Sequence, residues 1–172
     1  MIEKLIDLVV AVFEYFIPFE VIDSYQKGVV LRLGVFHREL EPGFHWVWPL
    51  RIERVLVMDV VPYTLNLKAQ SLTTSDGKSV VISAVVTSKV HRIQKALLEC
   101  NSVNNVLEDS CYGQVAALVA SHTWDEVRSE SFNELLTEAC RKRAFAFGVE
   151  ITRVQLSDCA PSRALRLYQA NA

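Results

Sequence analysis

The chain has 172 residues, of which 51% are apolar, and a net charge of −2. That length supports one domain with an appendage, and the apolar fraction is ample for a core. The charge is near neutral and no basic block occurs, which argues against nucleic acid as a partner.

The first element is an apolar segment over residues 5–17, LIDLVVAVFEYFI, interrupted only by Asp7 and Glu14. A helix crossing the hydrocarbon core needs about 20 mostly apolar residues. An acidic group at mid-bilayer costs about 2.5–3.5 kcal/mol on insertion scales, so a simple span is unfavourable. Glu3, Asp7 and Glu14 are spaced to share one helix face and leave Leu, Ile, Val and Phe on the rest. The pattern predicts a membrane-associated helix over residues 1–20, lying in the interface or turned back near Pro18. Its expected contacts are Leu5, Ile6, Leu8, Val9, Val12, Phe13, Phe16 and Ile17. The alternative is a buried core helix. A signal peptide fits less well, because Met1-Ile2-Glu3-Lys4 is not a basic start and Tyr15-Phe16-Ile17 is too bulky for cleavage.

Strand signals follow. Two β-branched runs, residues 21–25 and 29–33, flank Gly28, which suits a hairpin turn, and Gly34 ends the second run. Pro42-Gly43 is a turn dipeptide, and residues 44–48 (FHWVW) read as a strand closed by Pro49. On that strand His45 points away from Phe44 and Trp46. Trp46 and Trp48 with Phe44 pack in the core or form an aromatic belt at a membrane interface, where indoles favour the headgroup level. Residues 55–63 and 64–69 continue the strand pattern. Asp76-Gly77 then marks a tight hairpin, after which Val80, Ile82, Ala84, Val86 and Ser88 alternate toward a core.

The period changes near residue 93. Residues 93–100 form a short helix, and residues 103–121 carry Val106, Leu107, Val115, Leu118 and Val119 at helical spacing. Ser131-Phe132-Asn133-Glu134 matches a capping box opening a helix over 132–147, with Arg141, Lys142 and Arg143 near its C-terminus and Gly148 as its stop. Residues 149–156 read as a last strand, and Pro161 opens a short helix over 162–169. Strands, then helices, then one strand predict an α+β domain over residues 21–160, a mostly antiparallel sheet with helices packed on one face, followed by a short C-terminal helix over 161–172.

Candidate chemistry is sparse. His37, His45, His91 and His122 are scattered and form no triad or ligand spacing, so hydrogen-bonded edge positions are expected of them. Cys100, Cys111, Cys140 and Cys159 have no CxxC spacing and read as reduced thiols of a cytoplasmic compartment, small core residues rather than reactive ones. No glycine-rich phosphate loop is present. No cofactor, metal or catalytic residue is therefore expected. Arg128, Glu138, Arg141 and Arg143 form either a solvated helix face, the usual fate of such runs, or ion pairs with a neighbouring subunit, where exposed pairs are worth about 0–1 kcal/mol each.

Four stretches in order carry a family likeness. They are Gln26-Lys27-Gly28-Val29-Val30 with Arg32-Leu33-Gly34; Leu40-Glu41-Pro42-Gly43-Phe44-His45 with Pro49; Thr73-Thr74 to Asp76-Gly77 and the valine-rich run; and Phe147-Gly148-Val149-Glu150-Ile151 through Val154 to Pro161. Together they resemble the stomatin/prohibitin/flotillin group, the SPFH or band 7 domains. The resemblance implies a non-enzymatic scaffold that binds a lipid bilayer, assembles in many copies into a ring or cage, and modulates resident proteins such as membrane proteases or channels. A partner-specific regulator and a soluble binding module are the alternatives. Family members usually continue into a long helix or coiled coil. No sustained heptads follow Pro161, so the expected assembly closes through the domain, the N-terminal helix and the short C-terminal helix.

Overall fold

The computed structural model describes residues 19–50 and 52–162. The apolar segment with its contacts Leu5 to Ile17 lies outside these residues, as does the expected C-terminal helix over 161–172 apart from Pro161, which ends a strand instead, and Ser162, which is not helical. The chain forms two compact units.

The first unit contains β1 (Phe19–Ile22), β2 (Gln26–Arg32), β3 (Val35–Leu40), β4 (Gly43–Trp46), β5 (Glu53–Asp59) and α1 (Ile93–Leu98). β3, β2 and β5 form an antiparallel sheet with β2 in the centre, and β1 pairs with β4 as a separate ribbon. Ile22 from the ribbon meets Val30, Leu40 and Val55 from the sheet in a buried cluster. Val29, whose side chain leaves the opposite face of β2, is fully buried, and α1 packs on β2 and β5 with Ile93 and Ala96 buried.

Gly28 is not a turn residue. It lies inside β2, where a Cβ would sit 3.3 Å from Leu40 Cβ and 3.4 Å from Ile22 Cδ1 and Val55 Cγ1. The glycine admits the ribbon to the sheet, a close approach that reads in sequence like a break. The hairpin turn falls later, at Leu33-Gly34, between the paired residues Arg32 and Val35. Both turn residues have positive φ, 51° and 85°, the conformation a two-residue hairpin turn requires.

The second unit contains β6 (Tyr63–Thr73), most of β7 (Ser79–Val90), β8 (Val149–Pro161), α2 (Val103–Ser121), α3 (Trp124–Val127) and α4 (Glu130–Ala144), which ends in a 3-10 turn, Phe145–Phe147. The sheet order is β6-β7-β8. β6 and β7 are antiparallel. Ser162 N donates to Ser79 O at 2.8 Å and the Ser83 and Ser157 hydroxyls meet at 2.8 Å, so β8 also runs against β7.

Val80, Ile82, Ala84, Val86 and Ser88 are all buried, as their alternation predicts. Asp76-Gly77 does lie in the β6–β7 connection, with Gly77 at φ 77°, although the loop is wider than a two-residue turn and spans Thr74–Lys78 between the paired Thr73 and Ser79. Helix α2 buries Val103, Leu107, Cys111, Val115 and Val119, and α4 buries Phe132, Leu136, Cys140 and Ala144. Both are stripes of every fourth residue, and the two helices pack together. Gly148, at φ 77°, stops the helical segment as expected.

The start of α4 differs from the sequence reading. The helix begins at Glu130 with Ser129 at its N-cap position, and the Ser131 hydroxyl meets that of Ser129 at 2.9 Å instead of capping. A capping box does occur earlier, where Glu126 Oε2 accepts from Thr123 N at 2.8 Å and opens α3. The α+β class with antiparallel strands holds, but among the described residues the strands form three sheets rather than one. Pro62, which offers no ladder donor, lies between β5 of one sheet and β6 of another.

Candidate functional site

The β1–β4 ribbon has two unlike faces. Its register pairs Phe19 with Trp46 and Val21 with Phe44 on one face, and Glu20 with His45 and Ile22 with Gly43 on the other. Ile22 enters the core. The opposite face stays open, with Phe19 46%, Val21 62%, Phe44 65% and Trp46 59% exposed. The Phe19 and Phe44 rings are 5.3 Å apart and support each other diagonally across the ribbon. Beyond β4 the alternation continues, with Trp48 and Leu50 exposed and Val47 and Pro49 half-buried. Four bulky apolar side chains at every second position, the row Phe44, Trp46, Trp48 and Leu50, are thus exposed, the first two on the ribbon face that Phe19 and Val21 share. Of the two readings of the tryptophans, core packing does not describe Trp46 or Trp48.

Polar bonds hold this row from behind and from its edges. His45 Nε2 donates to Glu41 O at 2.6 Å, which places the imidazole away from the aromatics as the alternation predicts. Arg38 Nη2 donates to Trp46 O at 2.6 Å, and Lys27 pairs with Glu41 at 2.6 Å. Phe19 and Val21 were not singled out from the sequence. Their spacing of two matches that of Phe44 and Trp46, but only strand pairing sets them side by side.

Of the charged residues expected at an interface, Glu138 shares one groove with Arg141 and another with Arg143, and Arg128 lines neither. The Arg128 guanidinium lies 5.8 Å from the centre of the Trp124 ring. Arg141 turns inward to β8, donating from Nε to Ile151 O at 2.9 Å and from Nη2 to Thr152 O at 3.2 Å. Arg143 lies on the side of α4 that faces α2, in a groove with Leu118 and Leu135, and Glu138 lines the grooves on both sides of α4.

Cys111 and Cys140 meet between α2 and α4, and contact with Cys111 together with burial pushes the Cys140 thiol up, so it stays protonated. Cys100 and Cys159 are half-buried. Among the described residues, no group of three or more His, Cys, Asp or Glu side chains is placed to hold a metal ion, and no helix is long and apolar enough to cross a membrane.

Comparison with known proteins gives one consistent family. The family model described as SPFH domain / Band 7 family matches residues 20–169. An uncharacterised protein of Methanocaldococcus jannaschii is 26% identical over 82% of this chain and 71% of its own length. Stomatin-1 of Caenorhabditis elegans is 24% identical over 91% of this chain and 48% of its own. The modulator of FtsH protease HflK of Escherichia coli is 23% identical over 83% of this chain and 35% of its own. The chain spans about half or less of the length of these two named relatives.

Proposed function

The chain belongs to the SPFH domain / Band 7 family, and from that premise we propose that it is a membrane-associated, non-enzymatic scaffold that assembles in many copies and organises a membrane patch with its resident proteins. The observation that carries the reading is the exposed row of Phe44, Trp46, Trp48 and Leu50 with Phe19 and Val21 beside it. A concentration of exposed apolar side chains of this kind is a liability in water and marks an interaction surface. Its aromatic composition suits the headgroup level of a bilayer, where indoles place an apolar body and a polar N–H together. Phe19, beside the row, follows the apolar segment of residues 5–17 closely in sequence, which supports a shared membrane surface for the two.

Flotation of the full-length protein with anionic vesicles tests this. Burying one large apolar side chain contributes about 1.5–3 kcal/mol and each 1.4 kcal/mol is a factor of about ten, so Phe44→Ser with Trp46→Ser should weaken partitioning onto the vesicles by about a hundredfold or more. Val9→Asp with Val12→Asp should release the protein into the soluble fraction, by the cost of acidic groups in hydrocarbon. Unchanged flotation of both variants would rule the reading out.

The likeness to a protein named as a modulator of FtsH protease supports a second reading, a regulator of one membrane protease or channel. A single membrane protein co-purifying at fixed stoichiometry would favour it over the general scaffold.

A further inference from the structure

Behind the exposed row lies a buried carboxylate. Glu53 opens β5 opposite Arg32 of β2 and is only 6% exposed. Its Oε1 accepts from Arg32 Nε at 3.0 Å and from Nη2 at 2.7 Å, and its Oε2 accepts from the Trp48 backbone N–H at 3.0 Å. The backbone closes the same knot, with Glu53 N donating to Trp48 O at 3.4 Å and Leu33 N donating to Ile52 O at 2.8 Å. A carboxylate is costly to bury, and a fold that needed only packing here would place an apolar residue at this position.

What the knot holds is unusual. Leu33 and Leu50 have φ of 51° and 63°, left-handed values that a bulky side chain rarely adopts. Among the described residues they are the non-glycine positions with positive φ, and both side chains are exposed, Leu33 at 79%. Neither leucine contributes to the core, so the strained backbone displays apolar side chains at the surface. Strain of this kind persists only where the surroundings over-determine it.

We propose that Glu53 is a positioning residue for the bilayer-facing row: by holding the Trp48 amide and the Arg32 fork at once, it ties the Trp48–Leu50 backbone to the Leu33 hairpin tip and presents Trp48, Leu50 and Leu33 to the acyl chains as one rigid edge. This rests on the membrane reading above, and it adds the Leu33 tip to the contact surface and a buried charge as its support.

The test uses full-length protein with a single tryptophan, Trp48 (with Trp46→Phe and Trp124→Phe) or Trp46 (with Trp48→Phe and Trp124→Phe). Two readouts are taken with and without Glu53→Gln: amide exchange at Trp48 in mild detergent, and fluorescence quenching by vesicles of brominated phosphatidylcholine and phosphatidylglycerol. The expected result is Trp48 amide exchange faster by on the order of tenfold, from local opening, with loss of Trp48 quenching while Trp46 remains quenched. Arg32→Lys keeps the charge but loses the fork and should move both readouts the same way, which keeps the test open if Glu53→Gln does not fold. Unchanged Trp48 exchange in the folded variants overturns the proposal. Faster exchange with Trp48 still quenched also overturns it, leaving Glu53 a structural ion pair. If neither tryptophan is quenched in the parent proteins, the membrane reading falls and this proposal with it.

Discussion

Asp76 does more in the β6–β7 connection than its exposed position implies. Its carboxylate pairs with Lys78 Nζ at 2.8 Å, accepts from the Thr74 hydroxyl, and accepts from the Trp124 backbone N–H at 3.3 Å, which links the loop to the start of α3. The Lys78 ammonium, then the Thr74 hydroxyl, hold its carboxyl down at about 2. A folded-state value below that of the unfolded chain, about 3.9, means the stabilisation is fully present above the unfolded value and is lost as pH falls through the folded one. Asp76→Asn should therefore lower the melting temperature at neutral pH and flatten the acid limb between about pH 4 and about pH 2, read by thermal denaturation across that range. An acid limb equal to that of the parent protein would show that Asp76 does not carry the linkage. Gly28 acts at the same scale by a different means, since its missing side chain is what lets Leu40, Ile22 and Val55 approach.

Among the elements, α4 shows how one helix serves two surfaces. One stripe, Phe132, Leu136, Cys140 and Ala144, is buried in the core. A second stripe, Asn133, Thr137 and Arg141, bonds the outer edge of β8. Asn133 Oδ1 accepts from Leu156 N at 3.1 Å, Thr137 Oγ1 accepts from Val154 N at 2.9 Å while its own proton goes to Asn133 O at 2.7 Å, and Arg141 reaches the carbonyls of Ile151 and Thr152. This ladder satisfies an edge strand that would otherwise offer its backbone to another chain. Thr137→Val keeps the shape and removes the hydroxyl, leaving the Val154 amide without that partner. It should cost about 1–3 kcal/mol in chemical denaturation. A change within error would mean that water replaces the hydroxyl. The ladder also bears on Arg141 as an interface residue, because its guanidinium already has partners in its own unit.

At the scale of the whole molecule, each unit carries its own core, and the described apolar row belongs to the first. A scaffold of many copies predicts a large closed particle when full-length protein is extracted in mild detergent and weighed by mass photometry. A monomer or dimer would move the weight to the partner-specific regulator. The aromatic row was half legible in the chain. Phe44, Trp46 and Trp48 alternate visibly, whereas Phe19 and Val21 join them only through the β1–β4 register, which no local period encodes.

Local geometry alone determined much of this protein. The alternation of Val80 to Ser88, the fourth-residue stripes of α2 and α4, and the stops at Gly77 and Gly148 all follow from backbone periods and φ preferences that act over a few residues. The order of four short motifs was enough to point to the family. Tertiary structure decided what depends on which distant segments meet. Gly28 became a close approach rather than a turn because the ribbon packs against its strand. Arg141 went to β8 rather than to solvent because that edge passes within its reach. Glu53 became a buried tie because β2 places Arg32 opposite it and the chain returns Trp48 to its other oxygen. These outcomes turn on long-range pairing and desolvation, which a sequence leaves undetermined until the fold brings the partners together.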